Sequence, residues 1–332
     1  MNKDHVRNGL LYLEERGWSE LIDSRWTLDV YEELQLSGLG LTDEEMREVI
    51  DVVCVPEPDW SISEHLSHKD MFMPTDKDRI FTSIKYNGFT SHTLQLIDNY
   101  ITEIQNGTRD LLQFNQPEHA GVCSAGAFLI GALLVCDYAR ESLSTGSDAT
   151  GSQVTPANWK IDEAQERYLQ QWAEAKGVWI PEAEEWLQVK YGPMMAQGAE
   201  AKVYGRTGDT HVIKLRTSIY ATLGRALEAI ALHNYLFPQT IMRVIGFTRD
   251  ADGLFRIIFT QPYISCQRLA TKAEIDAMVN SKGFSDNGDG NGVNYLSSRL
   301  HLEDMHPANV FIEESSDTPV CIDCIVKFRR DL

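Results

Sequence analysis

From Tyr191 onward the chain changes texture, and that change constrains the fold more than any other feature. AKVYGRTG, HVIKLRT and IMRVIGFTRDADGLFRIIFTQPYI are short runs rich in β-branched and aromatic residues, and the turn residues of RTGDT and RDADG fit hairpins. Between the second and third runs, TLGRALEAIALHNYLFP reads as an amphipathic helix closed by Pro238. The order strand, turn, strand, helix, strand, hairpin, strand predicts a mainly antiparallel sheet interrupted by one helix. A mostly helical part containing LEDMHPANVFI is expected to follow, which makes the class α+β.

Upstream the pattern is helical. LTDEEMREVIDVV has Thr42 as N-cap, acids in its first turn and Met46, Val49, Ile50 and Val53 at helical spacing. SHTLQLIDNYITEIQNG repeats the pattern with Gly107 as a stop, and VPEPDWSISEHLSHKD between them reads as a surface loop. IDEAQERYLQQWAEAKG predicts a further helix, ending at Gly177. Before it, SLSTGSDATGSQVTP is polar, small and almost uncharged, which suits a linker. The expected division is a mainly helical acidic domain over 1–141, a linker over 142–156 and a second domain over 157–332. A chain of 332 residues is long enough for both.

Charge separates the halves as well. Residues 1–165 carry 12 Lys and Arg against 28 Asp and Glu, while the remainder carries 18 against 21. The net charge of -19 excludes a nucleic-acid groove or an anionic membrane surface as expected partners, and leaves the acidic N-terminal region as a candidate contact for a protein. Ala120 to Cys136 is an uncharged run, but it is short for a bilayer, which needs about 20 residues, and is flanked by Glu118 and Asp137. A buried core helix is expected there, not a membrane span. The six Cys follow no framework spacing and the N-terminus is too charged for a signal peptide, so the expected location is cytoplasmic.

Several residues suit phosphate chemistry. Lys214 sits mid-strand in HVIKL; a strand Lys is normally solvated, but Glu228 follows in the next helix, where it can meet a Lys on the sheet. Gly198 opens a turn ahead of both, and a small residue there lets backbone approach a phosphate. Farther on, Asn309 and Asp323 are oxygen ligands suited to a hard cation such as magnesium, and Asp304 can accept a proton from, or orient, a substrate hydroxyl. Asp and Asn also cap ordinary turns, so a polar turn between strands is the bland alternative.

Taken in order, GAEAKVY, VIKL, LEAIALHN, DMHPAN and CIDCI resemble the protein-kinase-like fold. DMHPANVFI is similar to the catalytic loop of small-molecule kinases of the aminoglycoside and choline type. A closer resemblance, carried by WAEAKGVWI, GAEAKVY, LHNYLFPQT, VIGF, FTQPYI, EIDAMVNSKGF and DMHPANV over Ile161 to Asp331, is to the kinase domain of bacterial polyvalent proteins of mobile elements. This resemblance implies a minimal kinase-like domain: an antiparallel N-lobe sheet with one helix and a truncated helical C-lobe. It also implies ATP and magnesium as cofactors, with an unknown hydroxyl acceptor as substrate. Asp304, Lys214 and Glu228 would be catalytic; Gly198, Lys214, Gln261 and Tyr263 would bind nucleotide, the last two in the QPYI hinge; Asn309 and Asp323 would hold metal.

The chain departs from the kinase pattern in places. Leu302 stands where a His is usual, with His301 displaced by one, Gly198 alone represents the glycine loop, and Cys324 and Ile325 follow Asp323. Only nine residues follow Asp323, so the C-lobe is expected to be minimal. These departures favour the alternative of an inactive pseudokinase-like module that binds nucleotide or a partner. His306 is expected to be structural. Cys321 and Cys324, three apart on an expected strand, should face opposite sides and form neither a zinc nor a redox pair. SDNGDGNG has partial calcium-loop spacing but lacks Glu at its twelfth position, where Ser298 stands, and reads as a flexible turn.

Overall fold

The computed structural model describes residues 3–16, 18, 22–23, 27–55, 75–106, 126–144, 156–198 and 200–329. Outside that set lie most of the loop expected over 55–70, the stop at Gly107, the start of the uncharged run (120–125), most of the expected linker (145–155) and the C-terminal 330–332. Chain contacts divide into two units, Met1–Tyr100 and Ile101–Leu332.

The first unit contains α1 (Lys3–Glu15), β1 (Ile22–Asp23), α2 (Thr27–Leu36), α3 (Asp43–Val53), β2 (Cys54–Val55), α4 (Asp76–Asn87) and most of α5 (Ser91–Gln105). Val6, Leu10, Leu13, Val30, Leu34, Val49 and Val53 close its core. At the start of α3 the Thr42 hydroxyl accepts from Glu45 N, and the Glu45 carboxylate accepts from Thr42 N at 2.9 Å. This reciprocal cap satisfies two backbone donors that the helix cannot pair internally.

The second unit begins with α6 (Ala127–Ser144), the apolar stretch of the uncharged run, which packs on α7 (Asn158–Ala175) and α9 (Leu223–Leu236). Gly131 in α6 lets the Trp172 ring in: a Cβ there would lie 2.5 Å from the indole. Among the described residues no helix is long and apolar enough to cross a membrane. Helix α7 caps α9 in turn, since Asp162 accepts from Leu223 N at 2.6 Å and Gln165 from Gly224 N at 2.8 Å. Two of the free N–H groups at the start of α9 are thus satisfied by another helix.

After α8 (Ala183–Tyr191), the strands β3 (Met194–Gln197), β4 (Ala201–Tyr204), β5 (His211–Thr217), β6 (Arg243–Arg249) and β7 (Phe255–Pro262) form an antiparallel sheet in the order β3-β4-β5-β7-β6. Helix α9 is inserted between β5 and β6, as the alternation of texture predicts. Because side chains alternate across a strand, the register places Lys214, Arg216 and Gln261 on one face. Ile213, Leu215 and Ile258 take the other and pack on Ala183 and Leu187 of α8.

Beyond β7 come β8 (Cys266–Leu269), α10 (Lys272–Asn280), β9 (Ser285–Asp286), β10 (Tyr295–Leu296), β11 (Leu300–Glu303), β12 (Val310–Glu313), β13 (Pro319–Cys321) and β14 (Ile325–Phe328). This part is richer in strands than the expected helical lobe, with one α-helix among its described residues. Runs of two to four residues are too short for their periodicity to show in sequence. The class is α+β, with a helical N-terminal region ahead of the sheet domain.

Candidate active site

Two ladders bring the polar loops together. Val310 of β12 faces Cys321 of β13, and Glu303 of β11 faces Ile325 of β14. Residues 304–309 and 322–324 therefore span the same gap between the same pair of ladders, and Ile322 N donates to Asn309 O at 2.9 Å across it. Asp304 and Asn309 on one side, and Asp323 on the other, are brought into one neighbourhood by topology.

Within the 304–309 loop, Asn309 Nδ2 donates to Asp304 Oδ2 at 2.8 Å and to the Asp304 carbonyl at 3.0 Å. Asp304 has a φ of 65°, a left-handed conformation that Asp tolerates better than most residues. Its side chain is 47% exposed, with His306 Nε2 3.3 Å from Oδ1. Because Ala308 N–H donates to His306 Nδ1, the proton of a neutral ring resides on Nε2, facing Asp304. His306 thus braces the loop. Asn294 Oδ1 accepts from Asp304 N, and the same Asn294 donates to Asp289 at 2.6 Å. The SDNGDGNG turn therefore supports the 304 loop, and its Asp289 carboxylate is already surrounded by N–H donors from Asn287, Asn294 and Asn291.

Asp323 is held by its neighbours. Its Oδ1 accepts from Cys324 N at 3.0 Å and from Arg216 Nη1 at 3.3 Å. Burial works to raise its pKa, but Arg216 first, then Lys214 and His233, hold it below the ordinary carboxylate range. Lys214 is buried, and its Nζ donates to the Ile322 carbonyl at 3.3 Å. Burial pushes its pKa down, with the Asp323 charge opposing. Glu228 is placed differently from the sequence expectation: its carboxylate takes a 2.9 Å hydrogen bond from Arg225, one turn back on α9. Lys214 is held instead by the Ile322 carbonyl.

Gln261 is buried and its Nε2 donates to Thr240 O at 3.0 Å and Ile322 O at 2.9 Å. Tyr263 is half-exposed, and its N–H donates to Thr210 O. Since Tyr263 N points toward β5, the Pro262 carbonyl at the end of β7 points to the opposite edge, where β6 pairing stops at Arg243 opposite Thr260. Gly198 closes the β3–β4 hairpin through a 2.9 Å bond to Ala201 O, and a Cβ added there meets nothing nearer than 3.9 Å.

Sequence reasoning missed Arg216, Thr240 and His233 at this site. Arg216 pairs with Glu200 at 3.1 Å as well as with Asp323, linking the β3–β4 turn to the 323 loop. Thr240 Oγ1 donates to Cys321 O at 2.6 Å, and His233 Nε2 lies 3.2 Å from Thr240 O. Arg216 had a signal, being two residues after Lys214 and hence on the same sheet face. Thr240 and His233 lie in LHNYLFPQT, whose role is invisible until it folds back under β13.

These elements, in this order, have a counterpart among known families. A family described as Serine/Threonine/Tyrosine Kinase found in polyvalent proteins matches residues 162–330, just over half of the chain. The chain belongs to that family. No curated protein matches it. The stretch matched by this polyvalent-protein kinase family begins in α7, so the helix that caps α9 is part of the kinase-like domain. An open hollow lined by Glu182, Leu215 and Arg249 lies on the sheet face opposite Lys214, away from the polar loops.

Proposed function

We propose that the domain is an ATP- and magnesium-dependent phosphotransferase acting on a hydroxyl acceptor. The observation that carries this reading is the convergence of Lys214, Asp323, Asn309 and Asp304 on two loops spanning one gap. Asn309 and Asp323 fit a hard cation: among the described residues, Asn309 Oδ1 and Asp323 Oδ2 have no hydrogen-bond partner and present neutral and anionic oxygen. When bound there, magnesium would neutralise charge on the phosphates.

The chain's own residues supply the rest. Lys214 exchanges its Ile322 carbonyl bond for a phosphate oxygen, and Gly198 leaves room for the β3–β4 turn to approach the phosphates. The Pro262 carbonyl and Ile264 amide meet the adenine edge, with Gln261 and Tyr263 flanking Pro262 in the chain. Asp304, exposed and braced by Asn309 and His306, orients the acceptor hydroxyl and takes its proton. Glu228 positions Lys214 only after leaving Arg225.

A second reading, a nucleotide- or partner-binding module without transfer, draws support from the Arg216 pair, which already occupies one oxygen of Asp323. Thermal stabilisation by ATP, with and without magnesium, for the wild type and Asp323→Ala, tests the site; γ-phosphate transfer to the protein and to a panel of small hydroxyl compounds tests the chemistry. A magnesium-dependent shift lost in Asp323→Ala, together with transfer, is the expected result. Without such a shift in the wild type the nucleotide site falls, and binding without transfer establishes the module. A pull-down with the full chain as bait, compared with a chain lacking residues 1–100, tests the acidic region as a protein contact.

A further inference from the structure

Cys321 and Cys324 do not face opposite sides, because the chain leaves β structure between them: β13 ends at Cys321 and β14 begins at Ile325. Both are buried, and their sulfurs lie with a ring nitrogen of buried His233 within a 4.8 Å envelope. His233 Nδ1 is 3.3 Å from Cys324 Sγ, and Met305 Sδ is 3.9 Å from Cys321 Sγ. Helix α9 supplies the nitrogen, the 322–324 loop and its flank supply two thiols, and the 304 loop supplies a thioether.

The His233 tautomer is set by its surroundings. Thr240 O accepts only, and the Thr240 hydroxyl spends its hydrogen on the Cys321 or Phe237 carbonyl. His233 Nε2 therefore carries the proton and donates to Thr240 O, leaving the Nδ1 lone pair toward Cys324. A ring N–H anchored on a backbone carbonyl, with the other nitrogen free, is the arrangement by which metal-ligating His residues are oriented. Each thiol has one acceptor, Cys324 in His233 Nδ1 and Cys321 in the Asp323 carbonyl at 3.1 Å, and an ion held by both sulfurs and the ring nitrogen replaces both bonds.

We propose that His233, Cys321 and Cys324 bind one thiophilic metal ion, zinc or monovalent copper, at a site separate from Asn309 and Asp323. Tetrahedral bonds of about 2.0–2.1 Å to nitrogen and about 2.3 Å to sulfur place donor atoms roughly 3.5–3.8 Å apart. The 3.3 Å between His233 Nδ1 and Cys324 Sγ is close to that, and the other separations, all within 4.8 Å, need to close by about 1 Å at most. Binding forms two metal–sulfur bonds and one metal–nitrogen bond. The two thiol protons leave to solvent, and nothing is oxidised. Zinc with two thiolates is neutral and adds no uncompensated charge beside Lys214 and Arg216. The Met305 thioether supplies the further soft donor that monovalent copper favours. The ion joins α9 to the loop that carries Asp323, whether or not the domain transfers phosphate.

The test uses the full chain, purified anaerobically and stripped with a chelator. Zinc alone and monovalent copper alone are titrated in separate arms against chromophoric competitors, with cobalt as the spectroscopic stand-in for zinc. One equivalent should bind, with a thiolate-to-cobalt charge-transfer band, and Cys324→Ser should lower affinity about tenfold or more. Cys266→Ser, which alters an exposed thiol elsewhere, should retain full binding. X-ray absorption on the loaded wild type, which needs no variant to fold, should show sulfur at about 2.3 Å and nitrogen at about 2.0 Å. A wild type that retains neither metal at one equivalent, an oxygen-only shell, or a band unchanged in Cys324→Ser overturns the proposal.

Discussion

Arg216, not Lys214, makes the ion pair with Asp323: guanidinium Nη1 stands 3.3 Å from Oδ1, while Lys214 Nζ stops at the Ile322 carbonyl. The two cations project from the same face of β5, yet only one is tied to the carboxylate. Arg216→Gln takes the paired cation from Asp323, which is 28% exposed and keeps the Cys324 amide, and should cost about 1.5–3 kcal/mol, the usual loss of a hydrogen bond to a charged group. Lys214→Met removes a buried, already disfavoured charge together with one hydrogen bond, and should change stability far less. Denaturant unfolding of both variants decides; a larger loss for Lys214→Met contradicts the assignment of Arg216 as the anchor.

The left-handed backbone of Asp304 dictates how its chemical role is to be probed. Asn tolerates that conformation and Ala does not, so Asp304→Asn should keep wild-type stability while abolishing transfer. Asp304→Ala should lose about 1–2 kcal/mol in addition. Calorimetric melting beside a transfer assay separates backbone strain from chemistry; equal melting temperatures for the two variants would refute the strain argument.

Asp289 and Asp304 are linked through one Asn. Side-chain N–H bonds from Asn294, then Asn287, and the Asn291 amide hold the Asp289 carboxyl down to about 2. A depressed carboxyl contributes stability that is complete above its ordinary value and is lost as pH falls through the folded one. The turn's contribution should therefore be complete above the ordinary Asp range, decline as pH falls below it, and be mostly gone by about pH 2, where Asp289 titrates. Asn294→Ala should move the carbon-detected NMR midpoint of Asp289 up toward the ordinary range and also broaden the Asp304 amide. A midpoint that does not move breaks the proposed link.

Two glycines should respond oppositely to the same substitution. At Gly246, in a β6 bulge, an added Cβ would lie 2.8 Å from the Val178 carbonyl and 2.7 Å from Ile180, so Gly246→Ala should cost about 1–3 kcal/mol. At Gly198 the added group meets nothing nearer than the Ala201 carbonyl at 3.9 Å, and Gly198→Ala should leave stability unchanged while weakening ATP binding. A Gly198→Ala chain that melts early, or one that binds ATP normally, removes the phosphate-loop reading.

Much of the fold was legible because its signals are local. Pro238 closes α9 where the pattern stops, Thr42 caps α3, and RDADG makes its hairpin through an Asp250 carboxylate that accepts from Asp252 N and Leu254 N. The strands after β7 carried no such signal, being shorter than a period. At the site, the residue types at 304, 309 and 323 announced a polar cluster, but not which cation would reach which carboxylate. Glu228 and Arg225 are both one helix turn apart and both charged, and only the rotation of α9 selects their pairing over one with Lys214. The cysteines were misplaced because three-residue spacing was read as strand geometry, whereas the chain turns between them.

Ile322 receives Lys214 Nζ and Gln261 Nε2 on its carbonyl and gives its N–H to Asn309 O. On the Ile322 side all three bonds use main-chain atoms. The position where the sheet cation, the hinge-proximal amide and the 304 loop meet is therefore indifferent to which side chain occupies it. A substitution at 322 need not break the junction, and a profile of residue preferences would pass over a point where three bonds of the site meet.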